Sequence, residues 1–149
     1  MPLLVQRGHT VFALGRDWSR LDAFSRATVV TADLTDVRVM DRLPRRVDAV
    51  IHLAQARGVS PNETEIFTVN TDGTARILEY ADRAGAESFV FSSSGSVYGG
   101  SEHLLRETDP LRPRDAYARS KVAAETLVRD HGGAFRTCVL RLFAPHKNA

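Results

Sequence analysis

Residues 47–54 read Val-Asp-Ala-Val-Ile-His-Leu-Ala, a nearly continuous apolar run of strand length. A strand with one wet face alternates apolar and polar side chains. A run that does not alternate fits a parallel strand covered on both faces. Parallel neighbours need long crossovers, so helices must lie between them. The rest of the chain supplies that alternation. Leu3 to Gln6 read as the last turn of a helix that Gly8 stops. Thr10 to Leu14 and Thr28 to Ala32 read as short strands, with a short helix between them capped by Ser19 and running through Phe24. Val37 to Leu43 reads as a brief amphipathic helix stopped by Pro44. Pro61 opens a long helix to about Ala84, ended by Gly85, with the apolar stripe Ile66, Val69, Gly73, Ile77, Ala81 and Ala84. Phe89 to Phe91 is a strand leading into Ser92-Ser93-Ser94-Gly95-Ser96. A polar loop (Glu102 to Pro113) then precedes a helix that ends at Gly132-Gly133, and Phe135 to Phe143 is the last strand. The pattern predicts an α/β fold built on a doubly wound parallel sheet with right-handed crossovers.

The 149 residues, 43% hydrophobic, suit a single domain spanning 1–149. The net charge of +2 comes from arginines scattered among acids, which argues against a nucleic-acid partner. No run approaches membrane-spanning length, and the Met1-Pro2-Leu3-Leu4-Val5 start is too short for a signal segment. A lone Cys138 in an apolar stretch reads as a packing residue in a reducing compartment, with no disulfide or metal framework. These features predict a soluble, cytoplasmic protein.

In doubly wound sheets ligands bind beyond the carboxyl ends of the strands. Gly15-Arg16, Asp33, Ala54-Gln55 and Ser94 all stand at such ends, and the helix carrying Tyr117 begins beside them. Tyr117 and Lys121 are four residues apart, so on a helix they share one face. An ammonium one turn from a phenol favours the phenolate, and the spacing predicts a lowered Tyr117 pKa. Only two lysines occur, Lys121 and Lys147; every other cation is arginine. Asn70 falls on the apolar stripe of the long helix, where a buried amide must find partners and forms either a structural clasp or part of a site. His52, in the apolar strand, reads as a packing residue and not as a catalyst.

Six stretches occur in order along the chain: Arg7-Gly8-His9; Asp33-Leu34; Asp48 to Ala54; Val69-Asn70-Thr71-Asp72-Gly73-Thr74; Phe91 to Gly99; and Tyr117-Ala118-Arg119-Ser120-Lys121. On these the chain resembles the extended short-chain dehydrogenase/reductases, in particular the NAD(P)-dependent epimerase/dehydratase family that acts on nucleotide sugars. The resemblance runs from end to end and implies a Rossmann-like fold. It implies an oxidoreductase or epimerase that moves hydride at a hydroxyl or keto carbon of a sugar nucleotide or related substrate. Tyr117 is then the acid/base. Lys121 lowers its pKa and binds the nicotinamide ribose, Ser94 holds the substrate oxygen, and Asn70 orders the site. Arg16, Asp33, Leu34, Leu53, Ala54 and Gln55, with Tyr117 and Lys121, are the implied cofactor-binding residues, and no metal is implied. Gly15-Arg16 stands where NAD-preferring members place an acid, which tilts the choice towards NADP while Asp17 keeps NAD open. The family also implies a homodimer, formed through the helix after Asn70 and the one bearing Tyr117.

The chain departs from this pattern in three ways. The opening strand and its Gly-x-x-Gly-x-x-Gly turn are missing, which removes the backbone amides that cradle a pyrophosphate. The chain stops at Ala149, before the substrate-binding lobe. Ala144 replaces a substrate-contacting asparagine, and Gly95-Ser96 lack the acidic pair of the dehydratases, which counts against sugar dehydration. The first two departures predict a fragment, a mis-set start or a decayed gene. They support an alternative reading, a truncated non-catalytic remnant or interaction module that binds no dinucleotide.

Overall fold

The computed structural model describes residues 2–18, 27–57, 62–100 and 103–143. The helix expected from Ser19 through Phe24, the helix start at Pro61, and Glu102 and Ala144 lie outside the described residues. The chain forms two compact units, Met1–Arg45 and Arg46–Ala149.

In the first unit α1 (Pro2–Gln6) ends where Gly8 adopts a φ of 84°. The Gly8 amide donates to the Val5 carbonyl (3.0 Å) and the His9 amide to that of Leu4 (3.1 Å), so a glycine in the left-handed region satisfies two carbonyls the helix leaves open. Strands β1 (Phe12–Gly15) and β2 (Thr28–Thr31) pair in parallel, Phe12 opposite Thr28 and Gly15 opposite Thr31. The amphipathic helix expected over Val37 to Leu43 is not α-helical; it is one 3-10 turn, Val39–Arg42. Asp33 and Asp36 draw the neighbouring amides into local turns: Thr35 donates to Asp33 Oδ1 (2.8 Å) and Arg38 to Asp36 Oδ1 (2.9 Å). Pro44 holds Leu43 extended, at ψ 159°, so too few residues remain for an α-helix. Val39 and Met40 are buried all the same.

In the second unit β3 (Ala49–His52), β4 (Ser88–Ser94) and β5 (Arg136–Leu142) form a second parallel sheet in the order β3-β4-β5. The described strands thus make two sheets, both parallel. Asn62 caps the long helix by accepting from the Glu65 amide (2.8 Å). It then runs as α2 (Glu63–Phe67), a π-helical turn (Thr68–Asp72) and α3 (Gly73–Arg83). The wider π turn rotates the stripe. Ile66, Gly73, Ile77, Ala81 and Ala84 are buried as the spacing predicts, but Val69 is half-buried and Asn70 takes the inward place. Helix α4 (Ala116–Asp130) starts at Asp115, whose carboxylate accepts from the Ala118 amide (2.7 Å).

The strand expected over residues 47–54 is shorter, and among the described residues only one of its faces is covered. Register aligns His52 with Phe91 and Val139 on one face, and Ile51 with Val90 and Cys138 on the other. Phe89, Phe91, Val97, Ala118, Ala124 and Val128 pack together on the first face and are fully or almost fully buried. On the second, Ile51 is 47% exposed, Leu140 44% and Leu142 54%. Cys138, expected as a packing residue, is exposed because its register places it on that open face.

Candidate active site

The carboxyl ends of β3 and β4 and the first turns of α4 carry one cluster of polar side chains. Tyr117 is half-buried, and its hydroxyl donates to Gln55 Oε1 at 2.6 Å. Lys121 is buried, with its ammonium 5.9 Å from the centre of the Tyr117 ring and 4.8 Å from that of Phe91. It donates to the Ser92 carbonyl at 2.8 Å. The Ser94 hydroxyl lies against the phenol and favours its ionised form. Ser94 Oγ also accepts from the amide (3.2 Å) and the hydroxyl (2.9 Å) of Ser96. Leu53 and Ala54 are exposed beyond β3.

One expectation fails here. The Tyr117 pKa is raised above its usual value, because burial penalises the phenolate more than its neighbours favour it. The groups that pull it down are Ser94 and Arg57, whose guanidinium lies 5.4 Å from the ring centre; Asp115 pushes it up. Burial also brings Lys121 down to about 8, against the pull of Glu125. Arg57 escaped the sequence reading because nothing in its spacing links it to Tyr117.

Asn70 is the clasp. Its Oδ1 accepts from the Ala56 amide (2.7 Å), and its Nδ2 donates to the Ala56 carbonyl (3.0 Å) and to Ser120 Oγ (2.9 Å). Ser120 Oγ in turn donates to the Tyr117 carbonyl (2.7 Å). One buried amide therefore ties the loop bearing Gln55 to the helix bearing Tyr117. Below it, Thr74 Oγ1 donates to the Asn70 carbonyl (2.6 Å) and sits 3.0 Å from His52 Nε2. A hydroxyl has one hydrogen, so Nε2 must carry the hydrogen of that second bond. His52 packs against Phe89 and Phe91, and burial first, then Lys121, brings its pKa down to about 4. It is a neutral core histidine.

The second unit thus brings together Ser94, Tyr117, Lys121, Asn70 and Gln55. Arg16, Asp33 and Leu34 belong to the first. There Arg16 and Asp33 form an exposed ion pair at 3.6 Å, and Leu34 is buried. Bonds from the Thr35 amide and hydroxyl, with a smaller contribution from Arg16, hold the Asp33 pKa below its usual value. Sequence reasoning also missed a buried ion cluster around Glu125, which lies one turn beyond Lys121 on the Tyr117 stripe; that position was the available signal.

Parallel sheets with crossover helices and polar side chains at the carboxyl rim define a Rossmann-like α/β protein. Residues 1–146 match the profile of the NAD dependent epimerase/dehydratase family, and the chain belongs to that family. It is 32% identical over 93% of its length to a 3 beta-hydroxysteroid dehydrogenase/Delta 5-->4-isomerase from Mycobacterium tuberculosis, covering 41% of that protein. It is 35% identical over 77% of its length to a UDP-glucose 4-epimerase from Azospirillum brasilense, covering 35% of it. A solved short-chain dehydrogenase/reductase superfamily protein from Agrobacterium tumefaciens with bound NAD superposes at a TM-score of 0.82 and 34% identity, over 93% of this chain and 43% of that one. MoeE5 in complex with UDP-glucose and NAD superposes at 0.79 and 32% identity, over 93% and 48%. The chain spans less than half the length of these relatives. Among the described residues no helix is long and apolar enough to cross a membrane, and no group of three or more His, Cys, Asp or Glu could hold a metal ion.

Proposed function

We propose that the chain carries the dinucleotide-dependent half of an oxidoreductase or epimerase that acts at a hydroxyl or keto carbon of a nucleotide sugar or related substrate. The observation that carries this reading is the meeting of the Tyr117 phenol, the Ser94 hydroxyl and the Lys121 ammonium at the sheet's carboxyl rim. The donor set fits a nicotinamide dinucleotide at that rim, since Lys121 can serve a ribose hydroxyl and Gln55 a carboxamide. Leu53 and Ala54 would line its path. The bound dinucleotide supplies the hydride acceptor or donor. Tyr117 exchanges the hydroxyl proton, Ser94 holds the same oxygen, and Asn70 fixes the distance between the Gln55 loop and α4. Tyr117 must first leave Gln55 Oε1, to which its hydroxyl donates.

Arg16 favours the 2′-phosphate of NADP, although two of the solved relatives hold NAD. Cys138, a lone free thiol, supports a reducing, cytoplasmic setting, and a homodimer through the long helix and α4 belongs to the same proposal. The test is turnover on a panel of nucleotide sugars and hydroxysteroids. Tyr117→Phe should lower kcat by about 10²–10⁴-fold; an unchanged rate sinks the reading. A second reading, a non-catalytic remnant or interaction module that binds no dinucleotide, draws on the Tyr117 hydroxyl, which is bonded to Gln55 Oε1 and has a raised pKa. Calorimetric titration with NADH and NADPH separates the two: micromolar binding excludes the remnant, and tighter NADPH binding supports the role of Arg16.

A further inference from the structure

Glu125 is a carboxylate with no exposure, and four bonds converge on it. Its Oε1 accepts from Ser93 Oγ (2.6 Å) and Arg141 Nε (2.9 Å); its Oε2 accepts from Arg129 (2.6 Å) and from the second arm of Arg141 (2.8 Å). Arg141 in turn donates to the Tyr98 hydroxyl (2.5 Å) and the Glu107 carbonyl (3.0 Å). Burial opposes ionisation of Glu125, but these bonds and the two guanidinium charges hold its pKa below the usual carboxylate value. A buried ion cluster of this kind seldom adds stability beyond what apolar packing would give, so another role is the more economical explanation.

Its position supplies that role. Successive residues of β4 bond successive turns of α4: the Ser92 carbonyl takes Lys121, and the Ser93 hydroxyl takes Glu125. Two such bonds set both the rotation and the height of the helix along the strand. Tyr117 lies one turn above Lys121 and Ser94 one residue beyond Ser93, so the same bonds set where phenol and serine meet. The planar Arg141 fork gripping both carboxylate oxygens leaves Glu125 little freedom to drift.

We propose that Glu125 is a positioning residue of the site: its clasped carboxylate holds the helix of Tyr117 and Lys121 in register with Ser94 and sets a negative charge one turn from the Lys121 ammonium. This rests on reading Tyr117 and Lys121 as the reacting pair. The charged and titratable groups around Lys121 are His52 on β3 and Tyr117 and Glu125 on α4, while Arg129 on α4 and Arg141 on β5 face Glu125. Against burial, Glu125 is the group that favours the charged lysine.

Because Lys121 and Lys147 are the only lysines, ¹³C-lysine labelling gives two Cε signals, and Lys147→Arg assigns them. Glu125→Gln should move the Lys121 titration to lower pH. Arg129→Gln, at a half-exposed side chain, should move it to higher pH. Opposite shifts support the proposal. Unchanged titrations in folded variants overturn it, and if Glu125→Gln fails to fold, the Arg129→Gln shift or its absence decides. In turnover assays Glu125→Gln should lower kcat about tenfold to a hundredfold with KM held, and Glu125→Asp should recover part of it. Inactive wild-type protein would defeat the proposed function, yet the lysine titration would still test Glu125.

Discussion

The two faces of the β3-β4-β5 sheet are built from the same strands and do opposite things. The face under α3 and α4 holds Phe89 and Phe91 at no exposure, together with His52, Ser93, Lys121 and Glu125. The other presents Ile51, Leu140 and Leu142 and carries no such cluster among the described residues. Polar chemistry collects where water is excluded, because only there do neighbouring charges act at full strength and only there must every polar atom be bonded. The apolar content of the strands says nothing about which face that will be.

Three experiments can break or sharpen this contrast. The largest effect should come from Phe91→Ala, which empties the covered face and removes the ring beneath Lys121; a loss of about 3–5 kcal/mol in urea unfolding is expected. Next is acid. His52 is neutral in the fold with a pKa of about 4 against 6.5 when unfolded, so the unfolded chain takes up its proton first. Its contribution is complete above pH 6.5 and is lost as pH falls towards 4, by up to about 3 kcal/mol. His52→Asn should flatten that limb of a stability-against-pH curve, and an unchanged limb would assign it elsewhere. The smallest effect should come from Leu140→Ala on the open face, under about 1 kcal/mol. A cost there equal to that of Phe91→Ala would show that the open face is covered in solution.

Much of this was legible in the chain. Gly8 announced a helix end because no other residue occupies a φ of 84° without strain. Asn70 announced itself as an amide on an apolar stripe, and it is buried and fully bonded. Val37 to Leu43 misled because apolar spacing does not register local competition for amides, and Asp33 and Asp36 won that competition. The Tyr117 pKa misled for a related reason. Four-residue spacing reports which face a side chain shares, but the cost of burying a phenolate depends on everything packed around it.

The amino-acid sequence by itself determined the parallel α/β plan, the family motifs and the stripe that aligns Tyr117, Lys121 and Glu125, because periodicity and local bonding act over a few residues. Tertiary structure alone decided which sheet face is dry and which way each pKa moves. It also decided that Ser93 and Arg141, far apart along the chain, close on one carboxylate. Burial and electrostatics sum over neighbours that meet only when the chain folds.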